Sequence, residues 1–286
     1  MARIEIAGVG IAYELLGPAD APCIALTPGG RLSKDAAGVR ELGEALAAGG
    51  RRVLLWDRPN CGESDLCFAG ESESMMHGEM LCALIRALDL GPVALAGGSA
   101  GSRTSLFAAS HDPEAVSHLA QWWISAGTLS LMALGSLYFC EPAVAAGFGG
   151  MEAVAGHAAF AEPLARNPRN RDILMALDPV EFVAVMERWA GAFVPGGDSF
   201  VPGLTSERIA RLTMPTIVFR GGARDVYHPG WASERLNALL PRSRLVDAPW
   251  TEEEYLAVFG AAMRAGTGQL ALWPRLAAPI LEFTGG

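Results

Sequence analysis

Short runs of Val, Ile and Leu alternate along the chain with longer stretches in which apolar residues recur every three or four positions. This alternation is typical of a parallel sheet covered by helices on both faces. It predicts eight strands, at Arg3–Val9, Ile11–Leu16, Cys23–Thr27, Arg52–Asp57, Val93–Gly97, Leu119–Ser125, Thr216–Arg220 and Arg244–Asp247. It also predicts helices at Lys34–Ala48, Ser74–Leu88, Ala100–His111, Trp231–Leu240 and Gly268–Phe283.

The pattern changes between the sixth and seventh predicted strands. Helical segments follow one another there with no convincing strand, at Thr128–Phe139, Met151–Ala165, Asp172–Leu177 and Val180–Gly191. We therefore expect residues 127–207 to form a helical cap, and residues 1–126 with 208–286 to form one α/β core. The stretch Ser117–Cys140 lacks Asp, Glu, Lys and Arg and is long enough to span a bilayer. Because Gln121 and Gly127 interrupt it, we interpret it as a buried strand leading into an apolar helix.

Composition narrows the functional class. Of 286 residues, 51% are hydrophobic and 19% charged, which excludes a disordered chain. The net charge is −9 with no basic run, so nucleic acid and anionic membranes are poor partners. The five cysteines show no paired spacing, and charges at Arg3 and Glu5 do not fit a signal peptide. We expect a reduced, cytoplasmic protein that binds a small molecule, with a homodimer as one option for its assembly.

A serine between glycines is the strongest sign of chemistry. Gly97-Gly98-Ser99-Ala100-Gly101 follows a predicted buried strand and precedes a predicted helix. Small residues there permit a sharp turn that presents the hydroxyl at the sheet edge, beside the positive end of the helix. The same glycines also occur in ordinary tight turns between a strand and a helix. The flanking strand and helix favour a nucleophilic serine.

Four motifs in order resemble the α/β-hydrolase superfamily over nearly the whole chain. They are the glycine loop of Cys23–Arg31, the Asp57-Arg-Pro-Asn-Cys-Gly-Glu-Ser64 loop, the serine turn, and Gly221-Gly-Ala-Arg-Asp-Val-Tyr-His-Pro229 after the seventh strand. The doubled glycine before Ser99 and the Cys61-Gly62 pair lean toward the proline iminopeptidase and meta-cleavage product hydrolase branches. The resemblance implies an eight-stranded, mostly parallel sheet with a helical cap after strand six.

The resemblance also implies roles for individual residues. Ser99 would be the nucleophile, the backbone amides of Gly30 and Ala100 would form the oxyanion hole, and Asp225 would orient a histidine base. The chain departs from the family at Pro28, where relatives usually have a histidine.

The base is the main departure. Relatives carry a histidine just after the eighth strand, but this chain has Pro249-Trp250 there and no histidine after His228. By elimination His228 is the candidate base, because its loop lies at the same sheet edge as Ser99. It would be oriented by Asp225 or by a group near Asp247, and Glu252 is a weaker alternative to it.

Aromatic and apolar residues around the cap suggest the substrate. We expect Trp123, Met132, Tyr138 and His157 to contact a small apolar or aromatic compound. No nucleotide-binding glycine motif and no metal-ligand spacing is present, so we expect no cofactor and no metal. The resulting hypothesis is a serine hydrolase acting on an ester, lactone or activated carbonyl. Its alternatives are a carbon–carbon bond hydrolase, an aminopeptidase-like hydrolase, and a lyase or binding protein without a full triad.

Overall fold

A single eight-stranded sheet organises the chain in a computed structural model that describes residues 2–194, 196 and 199–285. The strand order is β1-β2-β4-β3-β5-β6-β9-β10, and a separate hairpin contains β7 and β8. Only the pairs β1·β2 and β2·β4 are antiparallel in the large sheet. The strands are β1 (Ala2–Ile6), β2 (Val9–Leu16), β3 (Cys23–Thr27), β4 (Arg52–Trp56), β5 (Val93–Gly98), β6 (Val116–Trp122), β7 (Ser199–Val201), β8 (Leu204–Thr205), β9 (Thr216–Phe219) and β10 (Ser243–Val246).

Helices cover both faces of the sheet and also fill the insertion. They are α1 (Val39–Ala48), α2 (Glu73–Ala87), α3 (Ala100–His111), α4 (Thr128–Gly135), α5 (Glu141–Ala155), α6 (Ala158–Arg166), α7 (Arg169–Met175), α8 (Pro179–Gly191), α9 (Ser206–Ala210), α10 (Gly230–Leu239), α11 (Glu252–Ala265) and α12 (Ala277–Gly285). The predicted fold class, a mostly parallel eight-stranded sheet flanked by helices, is therefore confirmed.

Side chains that alternate along the central strands divide the apolar core into two layers, one on each face of the sheet. Every residue of β3 is buried, with Ile24 and Leu26 facing one layer of helices and Ala25 the other. The first layer contains apolar residues of α1 and α12. The second contains residues of α2, α3 and α10. Because successive side chains of a strand point to opposite faces, a continuous apolar run is needed wherever both faces are covered.

The insertion has its own apolar centre. Phe139, Phe160, Phe182 and Trp189 are buried together with residues of the segment before α2. A π-helical turn at Ser136–Cys140 joins α4 to α5. The predicted absence of a strand here is wrong, because β7 and β8 form a short hairpin near the end of the insertion. The boundaries drawn at residues 127 and 207 stay a prediction.

Two predicted helices and one omission also need correction. Helix α11 was not predicted at all, and the helix expected over Gly268–Phe283 is a 3₁₀ turn at Trp273–Leu276 followed by α12. The predicted helix Met151–Ala165 is broken at Gly156 and His157, where α6 starts anew. Pro274 explains why no continuous helix covers Gly268–Phe283, since proline lacks the amide hydrogen that would continue a helix through this position.

One helical stretch among the described residues, Thr128–Arg166, is long and apolar enough to cross a membrane by length and composition alone. It is not straight, because Gly150 has a φ of 63° inside α5. Its Leu131, Leu134 and Phe139 side chains are buried inside the insertion. The apolar stretch noted in the sequence is thus the buried strand β6 followed by α4.

Candidate active site

Ser99 occupies a strained turn between β5 and α3. Its φ of 56° and ψ of −117° are unusual for a residue with a side chain. The turn is held because the Ser99 amide donates to the carbonyls of Trp122 (3.2 Å) and Trp123 (3.0 Å). Neighbouring glycines are required by close approach: a Cβ on Gly98 would lie 2.2 Å from Trp122 Nε1, and one on Gly101 would lie 2.2 Å from a carbonyl oxygen of β3.

His228 reaches Ser99 from the loop between β9 and α10. Its Nε2 lies 3.0 Å from Ser99 Oγ, and its Nδ1 lies 3.1 Å from Asp225 Oδ2. The His228 side chain is 6% exposed. A tautomer that donates from Nδ1 to the carboxylate leaves Nε2 free to accept the serine proton. The structure thus brings together the three side chains that the sequence suggested.

Asp225 shapes the loop as well as facing the ring. Its Oδ1 accepts hydrogen bonds from the backbone amides of Tyr227 (2.9 Å) and His228 (3.0 Å). This turn bends four residues enough for Oδ2 to meet the imidazole. Burial alone raises the pKa of Asp225, but the hydrogen bond from His228 and attraction to its ring outweigh burial and hold the pKa below its usual value. The carboxylate is therefore ionised at neutral pH.

Aromatic residues and the insertion fix the loop and ring in place. Trp123 stacks on His228 with ring centroids 5.4 Å apart and planes 17° apart. Tyr255 of α11 packs edge-on against Trp123 at 5.5 Å, and its hydroxyl lies beside Asp225 without a well-aligned hydrogen bond. From the insertion, Ser130 donates to the carbonyl of Tyr227 at 2.7 Å. The ring is held on one face while its edge points to Ser99.

The other candidates for base or orienting acid are engaged elsewhere. Asp247, at the end of β10, is 90% exposed at its side chain and pairs with Arg220. Glu252 accepts from the Arg224 amide at 2.7 Å. Neither carboxylate forms a hydrogen bond to His228 or Ser99 among the described residues.

The glycine loop after β3 lies against the serine. A Cβ on Gly29 would lie 3.4 Å from Ser99 Cβ, and Gly30 has a φ of 51°. Arg58, fully buried, donates to the Gly30 carbonyl at 2.7 Å and fixes that peptide. The amides of Gly30 and Ala100 donate to no other group in the described part of the chain. Their binding of an oxyanion, which the resemblance implied, stays a prediction.

A cavity of about 250 Å³ opens onto Ser99 and His228. Trp123 and Tyr138, both expected at the site, line it. Met132 and His157 do not. Met132 is 60% exposed, and the His157 side chain accepts from the Ala159 amide at the start of α6. The sequence argument assumed that apolar and titratable residues of the cap face the cavity, and these two residues do not.

Several lining residues were missed from the sequence. Phe259 and Met263 come from α11, and Arg31 comes from the glycine loop. The pattern Thr251-x-x-Glu254 was the available signal for α11, because it forms a reciprocal capping box at the start of that helix. In the described part of the chain no group of three His, Cys, Asp or Glu side chains could hold a metal ion. Independence from metals and cofactors stays a prediction.

A family profile described as the alpha/beta hydrolase fold matches residues 27–121. Among solved structures, a hydrolase from Pseudomonas aeruginosa is 22% identical with a TM-score of 0.61, covering 100% of this chain and 98% of the other. The enol-lactonase from Burkholderia xenovorans is 17% identical with a TM-score of 0.61, and both chains are covered completely, at 100%. The esterase RhEst1 from Rhodococcus sp. is 18% identical with a TM-score of 0.54, covering 93% and 98% of the two chains.

No curated protein sequence matches the chain. The likenesses in structure and the family profile show that the chain has the α/β-hydrolase fold, which confirms the resemblance drawn from its motifs. The leaning toward the proline iminopeptidase and meta-cleavage product hydrolase branches stays a prediction.

Proposed function

We propose that the protein is a cofactor-independent serine hydrolase that cleaves a small ester, lactone or activated carbonyl compound through an acyl-enzyme at Ser99. The observation that carries this proposal is the chain of hydrogen-bond distances from Asp225 to His228 (3.1 Å) and from His228 to Ser99 (3.0 Å). A neutral serine hydroxyl is a weak nucleophile unless a base within hydrogen-bond reach takes its proton. His228 meets that condition.

The proposed reaction has two halves. In the first, Ser99 Oγ attacks the carbonyl carbon as its proton passes to His228 Nε2, and the amides of Gly30 and Ala100 hold the oxyanion. Collapse breaks the bond to the leaving oxygen, which takes the proton from His228. In the second, water gives a proton to His228, attacks the acyl carbon, and releases the acid while the proton returns to Ser99.

The cavity limits the size of the substrate. At about 250 Å³ it lies below the usual range for drug-sized ligands. Aromatic and apolar side chains form most of its wall, among them Trp123, Leu134 and Phe259. The solved structures of similar fold include an enol-lactonase and an esterase by their names, which agrees with a substrate whose carbonyl carries an oxygen leaving group.

The alternatives differ in how far they are supported. A lyase or binding protein was suggested by the missing histidine after the eighth strand. That argument weakens because His228 Nε2 lies 3.0 Å from Ser99 Oγ, within reach of its proton. No observation favours carbon–carbon bond cleavage or removal of N-terminal residues over ester hydrolysis.

A fluorophosphonate probe tests the proposal directly, since it modifies only activated serines. We expect wild-type protein to gain one adduct, located at Ser99 by peptide mass spectrometry, and to lose esterase activity on 4-nitrophenyl butyrate in parallel. Ser99→Ala should take up no probe. His228→Ala should be labelled at least 100-fold more slowly, while His111→Ala, altered on the surface, should behave as wild type.

The kinetics of combined variants sharpen the test. Residues that act as one unit have non-additive effects. We expect the double variant Ser99→Ala/His228→Ala to retain about the same residual activity as either single variant. Failure of the probe to label folded wild-type protein at Ser99, with no ester turned over, would contradict the proposal.

A further inference from the structure

Trp123 follows directly after β6 and contacts both ends of the proposed proton transfer. Its backbone carbonyl accepts from the Ser99 amide at 3.0 Å. Its indole stacks on the His228 imidazole, with ring centroids 5.4 Å apart and planes 17° apart. One residue therefore holds the turn that carries the nucleophile and also lies against the face of the base.

The backbone of Trp123 has an unusual conformation. Its φ of 50° lies in the left-handed region, which a bulky side chain rarely adopts. Such a conformation persists only where the surrounding structure imposes it, and it occurs most often at functional sites. The contact of the Trp123 carbonyl with Ser99 and the contact of its ring with His228 both depend on this one backbone conformation.

Four other aromatic rings fix the plane of the indole. Their centroids lie between 5.4 Å and 6.5 Å from that of Trp123, and their planes are inclined to it by 60° to 84°. They belong to Trp250, Tyr255, Phe259 and Trp273. Aromatic pairs attract each other at such steep angles. The indole is therefore a rigid surface, and among the described residues the His228 ring is the one that lies nearly parallel to it.

Both nitrogens of the imidazole are already engaged. Nδ1 faces Asp225 Oδ2 at 3.1 Å, and Nε2 faces Ser99 Oγ at 3.0 Å. The His228 side chain is 6% exposed, so little of it is open to water. When Nε2 takes the serine proton, the ring becomes a positively charged imidazolium. The faces of the ring are then the largest surface left for a further stabilising group.

The face of a tryptophan ring is suited to stabilise this charge. It attracts a cation within about 6 Å of its centroid more strongly than the rings of Tyr and Phe do, and the attraction grows where water is excluded. The separation of 5.4 Å between the Trp123 and His228 centroids lies within this range. Tyr227, which is also near the imidazole, lies 6.3 Å away and is tilted by 46°. The geometry therefore favours Trp123 over Tyr227.

We propose that Trp123 is a positioning residue for the base. Its indole holds the imidazole in the plane that joins Asp225 to Ser99, and it attracts the positive charge that the imidazole gains in the transition state. This inference rests on the proposed hydrolase function and adds a fourth side chain to it. Because the imidazolium forms in both halves of the proposed reaction, Trp123 acts on the formation and on the hydrolysis of the acyl-enzyme alike.

Truncation of Trp123 does not test this role by itself. The indole lines the cavity at Ser99 and also a second cavity, of about 190 Å³, that reaches Asp225. Loss of the indole would join the two cavities and weaken the packing around the loop. A sharper test changes the charge distribution of the ring and keeps its shape nearly constant.

Fluorinated tryptophans at position 123 make that change. The attraction for a cation comes from the negative face of the ring, and each fluorine withdraws electrons from that face. Nonsense suppression would place tryptophan or its mono-, di- or trifluorinated form at this position alone, with 4-nitrophenyl butyrate as substrate. We expect kcat to fall at each step, by about three- to thirtyfold for the trifluorinated form. Because both halves of the reaction slow together, KM should change less than twofold.

The same series at Trp189 is the matched control. Trp189 is also buried among aromatic rings, but none of its ring contacts or hydrogen bonds among the described residues involves Ser99 or His228. There kcat should stay within twofold of wild type, and both series should unfold thermally close to wild type. Trp123→Phe, which keeps a smaller aromatic face, should retain more activity than Trp123→Leu. If Trp123→Leu does not fold, the fluorinated series still decides the question.

The outcomes separate this inference from the proposed function. Constant kcat across the series at position 123, in a protein that hydrolyses the ester, would overturn the role of Trp123 and leave the hydrolase function standing. An equal decline at position 189 would overturn the role as well, because the loss would not be specific to the ring on His228. No ester turnover and no fluorophosphonate adduct at Ser99 in folded wild-type protein would instead refute the proposed function, and this inference with it.

Discussion

Replacing Asp225 by asparagine removes one negative charge and leaves the shape of the side chain unchanged. The amide oxygen can still accept from the Tyr227 and His228 amides, which lie 2.9 Å and 3.0 Å from Oδ1, so the loop should keep its turn. The amide nitrogen would replace Oδ2, which lies 3.1 Å from His228 Nδ1. Two donors would then face each other, and the ring would move its proton to Nε2, toward Ser99.

The expected loss follows from these contacts. Losing one charge-assisted hydrogen bond costs about 1.5–3 kcal/mol, which corresponds to roughly ten- to hundredfold in rate. The reversed tautomer removes the acceptor for the serine proton, and the same exchange in the Ser-His-Asp arrangement of another hydrolase fold lowers kcat about 10⁴-fold. We expect kcat of Asp225→Asn on 4-nitrophenyl butyrate to fall between 10²- and 10⁴-fold, with KM changed less than threefold.

Asp247→Asn is the matched control. This carboxylate follows β10, near where relatives carry their histidine, but it is exposed and paired with Arg220. We expect less than a twofold change in kcat. Both variants should show thermal unfolding and circular dichroism close to wild type. A loss below tenfold in Asp225→Asn, or a larger loss in Asp247→Asn, would refute the assignment of Asp225 as the group that orients His228.

Three further predictions concern stability, measured by urea unfolding. Glycine at position 99 should relieve the backbone strain of this turn, which is worth about 1–3 kcal/mol. This gain exceeds the entropic cost of glycine, about 0.5–1 kcal/mol, so Ser99→Gly should be more stable than Ser99→Ala. The reverse order would contradict strain at this turn. Gly98→Ala should destabilise by about 1–3 kcal/mol through its clash with Trp122, whereas Gly147→Ala, which meets nothing within 4 Å, should be neutral or slightly stabilising. Burial lowers the pKa of His77 from 6.5 to about 3. Between these two pH values the imidazole is protonated in the unfolded chain and neutral in the folded chain. Stability is then lost as pH falls, by about 2 kcal/mol at pH 5, and His77→Gln should flatten this pH dependence; an unchanged slope would contradict it.

The sheet could be predicted because its physics is local. Strands such as β3 and β5 are short and buried on both faces, so nearly all of their residues must be small or apolar. A continuous run of such residues is visible in the sequence. Helix α11 was missed because its first turn, Glu252 to Glu254, looks like a solvated charge run. Those carboxylates favour the start of a helix, and Tyr255, one of its two buried residues, anchors it.

The candidate site could be predicted only in part. The serine turn, the glycine loop and the acid loop have sequence signatures, and elimination pointed to His228. Whether four residues could bend enough to join Asp225 with His228 could not be predicted, because it depends on two backbone amides meeting one carboxylate oxygen. Arg31 was missed because its place in the cavity wall depends on its contact with the insertion, where its guanidinium donates to the Tyr138 carbonyl.

The short spacing between Asp225 and His228 also has an evolutionary consequence. In a chain with this arrangement, the acid and the base lie in one loop. Replacement of that loop would add or remove both of them together. With His228 as the proposed base, the segment after β10 would need no proton acceptor, and it could vary in length and sequence as long as it supports α11. Relatives built this way would lack a late histidine, and that lack alone would not mark them as descendants that had lost their chemistry.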